Sequence, residues 1–402
     1  MSLRAELFGH GRGKVLAFCW LGWVFDFFDL FLFSLLNKVI AKDLGLDQNH
    51  DIAWIDGWVM FATAIGGFGL GWVADRHGRR PAMVWSILVY SIGTVATGFA
   101  NDYWSLLAAR IVAAIGIGGE WGIAHALVAE TYPPHLRGRA GGILQAGTPF
   151  AIALAAAFGC FCSEAIGWRA CFVIAGVPAV LVFFARRAVP DTIEQREREP
   201  GSFVELVQPP FAYRSIALWV LLAVHLAAFW TTMSWMPRIL LGRGFTMQEL
   251  GWYQITVAMA QLIGNVAFGF LADRFGRRPV FAGSCLLFAA GIVGVAWQLE
   301  SLANDGAAIT LAMTAAAFGL GSWAAFGPLF AVNYPERLRA MAGSGIYNLG
   351  RTQQLVVQPL AASIRAGGSD AGVLLLGVAM AVVSAGLMFA VPQQPDENSA
   401  SN

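Results

Sequence analysis

Twelve apolar runs follow one another along the chain, beginning near Val15, Trp54, Pro81, Trp104, Gly138, Trp168, Tyr213, Gln248, Pro279, Asn304, Ala340 and Ala371. A helix needs about 20 largely apolar residues to cross a bilayer, and each run is read as one crossing. Six precede a mixed-charge stretch at 188–212 and six follow it. The pattern predicts an all-α membrane protein with twelve transmembrane helices in two pseudo-symmetric six-helix bundles. Residues 1–187 would form the first bundle, 188–212 a connector, and 213–402 the second bundle with a short tail.

Internal repeats support the division. Gly71-Trp72-Val73-Ala74-Asp75-Arg76-His77-Gly78-Arg79-Arg80-Pro81 returns 198 residues later as Gly269-Phe270-Leu271-Ala272-Asp273-Arg274-Phe275-Gly276-Arg277-Arg278-Pro279. Each copy lies between two apolar runs and reads as a tight loop joining two membrane helices. A second pair, Tyr132-Pro133-Pro134-His135-Leu136-Arg137 and Tyr334-Pro335-Glu336-Arg337-Leu338-Arg339, is 202 residues apart. Glu130 has Val332 as its counterpart, so the second copy lacks that acid.

Composition sharpens the class. Of 402 residues, 57% are hydrophobic and 13% charged, far from the soluble balance of about a quarter charged. A net charge of +1 without a basic aromatic stripe argues against nucleic acid. The five cysteines fall in apolar runs without zinc-like spacing, and no metal or cofactor is expected. The run Gly116-Ile117-Gly118-Gly119 follows no strand, and Gly9-His10-Gly11-Arg12-Gly13-Lys14 lacks phosphate-loop spacing, so neither reads as a nucleotide site. No nucleophile–base constellation points to an enzyme. The first run passes without a small-residue cleavage site and reads as a retained crossing. On one side the short loops hold ten Lys and Arg, among them Arg76, Arg79, Arg80, Arg137, Arg274, Arg277 and Arg278, against six on the other, Lys38, Lys42, Arg169, Arg238, Arg243 and Arg365. The positive-inside rule then puts the repeated loops, both termini and the connector in the cytoplasm, as expected of a multi-pass protein of an inner or plasma membrane that functions as a monomer.

Charged residues inside the runs carry the candidate chemistry, because burying charge in a membrane is costly and usually functional. Asp26 and Asp29 share one helical face of the first run. Arg110, Glu120, His125 and Glu130 lie on the fourth run. At 1.5 Å per residue, Arg110 falls roughly 9 Å from one face and Asp29 roughly 21 Å from the other. In a core about 30 Å thick these depths coincide, so Arg110 is expected to approach Asp29. His225 on the seventh run sits near the position equivalent to Asp26, and Gln254, Gln261 and Asn265 on the eighth offer polar lining. Arg351, about eleven residues into its run, is placed near the midplane, where repeat-built transporters bind substrate. Its fork of donors suits a carboxylate.

These residues resemble the major facilitator superfamily. Both copies of the Gly-x3-Asp-Arg-x-Gly-Arg-Arg-Pro loop match its signature, and Arg110 matches its arginine on the fourth helix. The resemblance implies two six-helix bundles around a central cavity, with alternating access by rocking. Gly118-Gly119-Glu120-Trp121-Gly122, Ala129-Glu130 with Pro133 and Arg137-Gly138, and Tyr347-Asn348-Leu349-Gly350-Arg351 look like the sialate:proton symporter family, which includes lactate and pyruvate carriers. The Asp26-x-x-Asp29 pair resembles the pattern of aromatic-acid:proton symporters. The expected function is proton-coupled symport of a small organic anion, a monocarboxylate such as lactate or pyruvate. The alternatives are a sialic or aromatic acid symporter, then a drug:proton antiporter, and from another class a non-transporting sensor. Arg351, Asn348, Gln354, Arg110 and Gln261 are the expected substrate contacts. Asp26 or Asp29 would carry the proton, with Glu120 beside them and His225 in reserve. Gly71, Asp75, Arg76, Arg79, Arg80, Glu130, Arg137, Gly269, Asp273, Arg274, Arg277 and Arg278 are the expected gating set.

Overall fold

A computed structural model describes residues 7–9, 11–176, 202–301 and 306–392. The expected connector at 188–212 lies largely outside them, as do the side chains of Asp75, Arg137 and Asp273. The described residues form helices and no strands: α1 (Arg12–Leu44), α2 (Asp51–His77), α3 (Arg79–Thr97), α4 (Tyr103–Thr131), α5 (Pro134–Gln145), α6 (Gly147–Ala175), α7 (Phe203–Leu206), α8 (Ala212–Gly242), α9 (Met247–Phe275), α10 (Arg277–Glu300), α11 (Gly306–Gly319), α12 (Phe326–Asn333), α13 (Glu336–Arg351), α14 (Gln354–Ala366) and α15 (Asp370–Leu387). Among the described residues, nine helical stretches are long and apolar enough to cross a membrane. The fold is that of two six-helix bundles with twelve crossings.

The duplicated loop owes its glycine to the backbone. Gly78 turns between α2 and α3 with φ 101° and ψ 157°, and Gly276 between α9 and α10 with φ 86° and ψ 153°. A side chain is strained at such positive φ, so the two copies share one turn for one steric reason. The Tyr-Pro repeat works likewise: Tyr132 and Tyr334 are extended, and Pro133 and Pro335 precede the first turns of α5 and α13. Helix crossings are duplicated as well. A Cβ on Gly66 would lie 1.9 Å from the Ile115 carbonyl oxygen, and one on Gly264 would lie 2.1 Å from that of Phe318. Small residues let membrane helices touch backbone to backbone.

Three crossings are broken near their middles. The fifth is divided at Ala146, between α5 and α6. The tenth passes through a 3-10 stretch, Leu320–Ala325, between α11 and α12. The eleventh ends one helix at Arg351 and starts the next at Gln354. Each break falls within a stretch read from the sequence as a single run, although Gln145 to Pro149 and Arg351 to Gln354 interrupt the apolar pattern at the first and third.

The bundles meet along two seams. α2 packs on α13 and α14, where Phe68 covers Gly345 and Gly57 abuts Leu355, and α6 packs on α9, where Phe161 covers Gly251.

Candidate functional site

The three breaks surround a small cavity between the bundles, lined by Trp23, Phe27, Gln145, Thr148, Phe229, Gln261, Asn265, Trp323 and Tyr347. Gln145 and Thr148 flank the first break, Trp323 belongs to the 3-10 stretch, and Tyr347 lies one turn before the third. Discontinuous helices place polar backbone and side chains at mid-membrane without exposing them to lipid. Trp230 stacks on Phe27 and Phe31 at centroid distances of 6.2 and 5.6 Å, and Trp121 stacks on Tyr347 at 4.2 Å. Both stacks join one bundle to the other.

Arg351 is 1% exposed and stands behind this wall. Its guanidinium lies 4.7 Å from the Tyr347 ring centre and 5.6 Å from that of Phe27. It donates to Asn348 Oδ1 at 3.3 Å and to the Tyr347 hydroxyl at 3.1 Å, and its Nε finds no acceptor. Among the described residues, no carboxylate forms a salt bridge with it. Arg110, in contrast, forms a buried ion pair with Asp29 and donates to its Oδ1 at 3.0 Å, and Thr94 donates to the same oxygen at 2.8 Å. The approach expected from helix depth is present.

Asp26 and Glu120 form a separate group. Both are fully buried, and neither carboxyl meets a donor. Glu120 lies within electrostatic reach of Asp26, as does Arg351. Glu120 reaches α1 over Gly22, where a Cβ would sit 1.6 Å from its Oε1.

Other expected site residues are placed differently. His225 is not brought to the carboxyl group. Its ring is held inside the second bundle by Ser384 at 3.2 Å and Ser322 at 3.1 Å, against Phe281, Trp323 and Phe326. Gln354 is spent in a chain in which Trp235 donates to Gln358, Gln358 to Gln354, and Gln354 to the Leu226 carbonyl. Asn348 donates across the seam to the Gly118 carbonyl at 2.7 Å. Gln261 faces the cavity with its whole amide unpartnered.

In the expected gating set, Arg79 donates to Glu130 at 3.2 Å within the first bundle. Arg76 stacks on Trp72, Arg274 on Phe275, and Arg278 donates to the Val391 carbonyl at 2.6 Å. Arg80 is half-buried, and Arg277 is exposed. Gly71 faces Ser344 of the other bundle, whereas Gly269 faces open space. The two copies of the loop thus differ in their surroundings.

At the end remote from the loops, the bundles are tied by groups that sequence reasoning treated as loop charges. Arg238 on α8 forms a buried ion pair with Asp56 on α2. Lys38 donates to the Leu241 carbonyl at 3.0 Å, and Arg365 to Asn49 at 3.0 Å. Asp56 lies inside the second apolar run, and that placement alone called for a partner. With this end tied and the Asn348 and Trp121 contacts joining the bundles toward the loops, the cavity is closed on both sides.

Comparison with known proteins settles the family. The model of the Major Facilitator Superfamily matches residues 19–352 and 218–402. The chain belongs to that superfamily. It is 28% identical over 379 residues to the sialic acid transporter NanX of Escherichia coli (strain K12), covering 92% of this chain and 90% of the relative. It is 30% identical to a probable 4-methylmuconolactone transporter of Cupriavidus pinatubonensis, over 83% of this chain and 79% of that one. A gentisate transporter of Corynebacterium glutamicum is 28% identical, over 87% and 81%. A solved structure of the E. coli xylose transporter XylE in a partially occluded inward-open conformation superposes with a TM-score of 0.78, at 16% identity, over 96% of this chain and 99% of that one. This superfamily member is a multi-pass membrane transporter of the secondary active type and not an enzyme, and it resembles the sialate:proton symporters.

Proposed function

We propose that this transporter carries a cyclic organic acid, of the aromatic or sialic type, together with protons by alternating access. The observation that carries the reading is Arg351, buried behind an aromatic wall with only neutral partners. A buried charge is normally paired, and a guanidinium without an acid is matched by a ligand carboxylate with two parallel hydrogen bonds. The carboxylate would take the donor now given to Tyr347 and swing that ring off the wall. Five aromatic rings line the cavity, and their faces suit a flat or ring-shaped body better than lactate or pyruvate. Among the relatives' named substrates, sialic acid, 4-methylmuconolactone, niacin and gentisate are ring compounds and cis,cis-muconate is an open-chain acid; none is lactate or pyruvate.

Asp26 and Glu120 are the proton carriers in this reading. Two buried carboxyls within reach of one another and without a donor share a proton far more easily than two charges. Asp29 is committed to Arg110, and His225 to two serines, which leaves them positioning roles. The ties at the remote end form the outer gate, and the repeated loops with their arginines and Asp75 and Asp273 lie at the cytoplasmic gate.

Uptake by proteoliposomes tests this. An inward proton gradient should drive accumulation of labelled ring acids such as sialic acid or gentisate, Arg351→Gln should abolish it, and Asp26→Asn should uncouple it from pH. Gradient-independent uptake, or equal uptake of lactate, would sink the proposal.

A further inference from the structure

On α9, one face of the cavity presents hydrogen-bonding capacity that the protein leaves unused. Gln261 is 1% exposed, and neither its Oε1 nor its Nε2 has a partner. Asn265, one turn along, has an unpartnered Oδ1. Both residues line the cavity. Opposite, Gln145 Oε1 already accepts from Trp121 and His125, and Thr148 Oγ1 accepts from Trp23 at 3.0 Å. The rest of the wall is aromatic. A buried amide with nothing to bond is costly, and a leucine would fill the space at lower cost, so the amides point to a ligand.

We infer that Gln261 and Asn265 form a hydroxyl-reading subsite, so that the substrate is a hydroxylated ring acid. The inference rests on reading the cavity as the site of a ring acid. A hydroxyl both donates and accepts, and can satisfy Asn265 Oδ1 or Gln261 Oε1 while accepting from Gln261 Nε2. A ring nitrogen only accepts, and a bare ring does neither; both leave acceptors buried and unmet. A site built to bond a hydroxyl rejects the analogue that lacks it, because its own polar groups are then stranded.

Binding to the full chain in nanodiscs, by calorimetry with benzoate and its three monohydroxy isomers, tests the assignment. At least one hydroxybenzoate should bind about tenfold tighter than benzoate, the equivalent of about one well-made hydrogen bond. Gln261→Leu should erase that ratio, and Asn265→Leu should reduce it. Gln261→Leu should also raise the melting temperature of the ligand-free protein, which separates loss of recognition from loss of folding. A ratio near one, as when water alone fills the amides, or a ratio that survives Gln261→Leu, overturns the inference. Arg351→Gln reads the carboxylate separately: it should weaken benzoate and its hydroxylated isomers alike. Unchanged affinities there would refute the anion reading and leave the hydroxyl ratio standing. Failure of all four acids to bind overturns both.

Discussion

Replacing Asp56 with asparagine should loosen the end of the molecule remote from the repeated loops, and the structure sets the size of the effect. The side chain of Arg238 is fully buried, and that of Asp56 is 13% exposed. Arg238 Nε and Nη1 already lack partners, so Asp56 supplies the only counter-charge bonded to this guanidinium among the described residues. Removing one member of a buried ion pair costs about 3–5 kcal/mol, because the survivor is left as an uncompensated charge. Once the bundles part, water solvates Arg238 with or without Asp56, so the cost falls on the closed arrangement alone. The opening equilibrium should shift by about a hundredfold to a few thousandfold. Hydrogen–deuterium exchange in nanodiscs reads it directly, since amides in the first turns of α2 and the last turns of α8 exchange through that opening. Asp56→Asn should accelerate them by about two orders of magnitude or more and leave α10 untouched. The double variant Asp56→Leu, Arg238→Met removes both charges and should restore protection. Unchanged exchange in Asp56→Asn, or no recovery in the double variant, would refute the claim that this pair holds the end shut.

Asp29→Asn strands the buried Arg110 and should lower stability by about 3–5 kcal/mol, whereas Asp26→Asn removes a carboxyl without a donor and should leave melting unchanged or raised; thermal melts of the two variants separate these cases. Gly66→Ala places a methyl 1.9 Å from the Ile115 carbonyl and should prevent recovery of a monodisperse protein on size exclusion, while Gly269→Ala, which meets open space, should behave as the parent. At the start of α4, the Ser105 amide and hydroxyl hold the Asp102 carboxyl below its usual range. Such a group stabilises the fold above about pH 4 and loses that contribution as pH falls through its lowered folded-state value. The melting advantage over Asp102→Ala should therefore shrink on acidification, and an advantage that grows would contradict the cap.

Duplication was legible because it is written in residues whose role is local. Gly78 and Gly276 adopt one backbone turn, and the Tyr-Pro pairs cap equivalent helices, so repeats in sequence became repeats in structure. The pairing of Arg110 with Asp29 was legible from rise per residue alone, since straight helices convert position to depth. The helix breaks were not read, although Gly147 and Pro149 beside Ala146, and Arg351-Thr352-Gln353-Gln354 at the third break, carry local signals for two of them; only Leu320–Ala325 lies in a largely apolar stretch. His225 shows the limit of symmetry: a position equivalent to Asp26 became a satisfied core histidine once Ser322 and Ser384 faced it. Gln354 failed similarly, its amide taken by Gln358 and Leu226. Arg238 was hidden by its place beside Pro237 at the end of a run, where it counted as loop charge. Only its neighbour across the seam gives it a role.

The three helix breaks have a mechanical consequence. A continuous helix is a stiff lever, and tilting one end tilts the other. Because the fifth, tenth and eleventh crossings are jointed where they meet the cavity, the half of each crossing nearest one membrane face can pivot while the other half stays packed. The joints give each of these crossings a point at which its two halves need not move together.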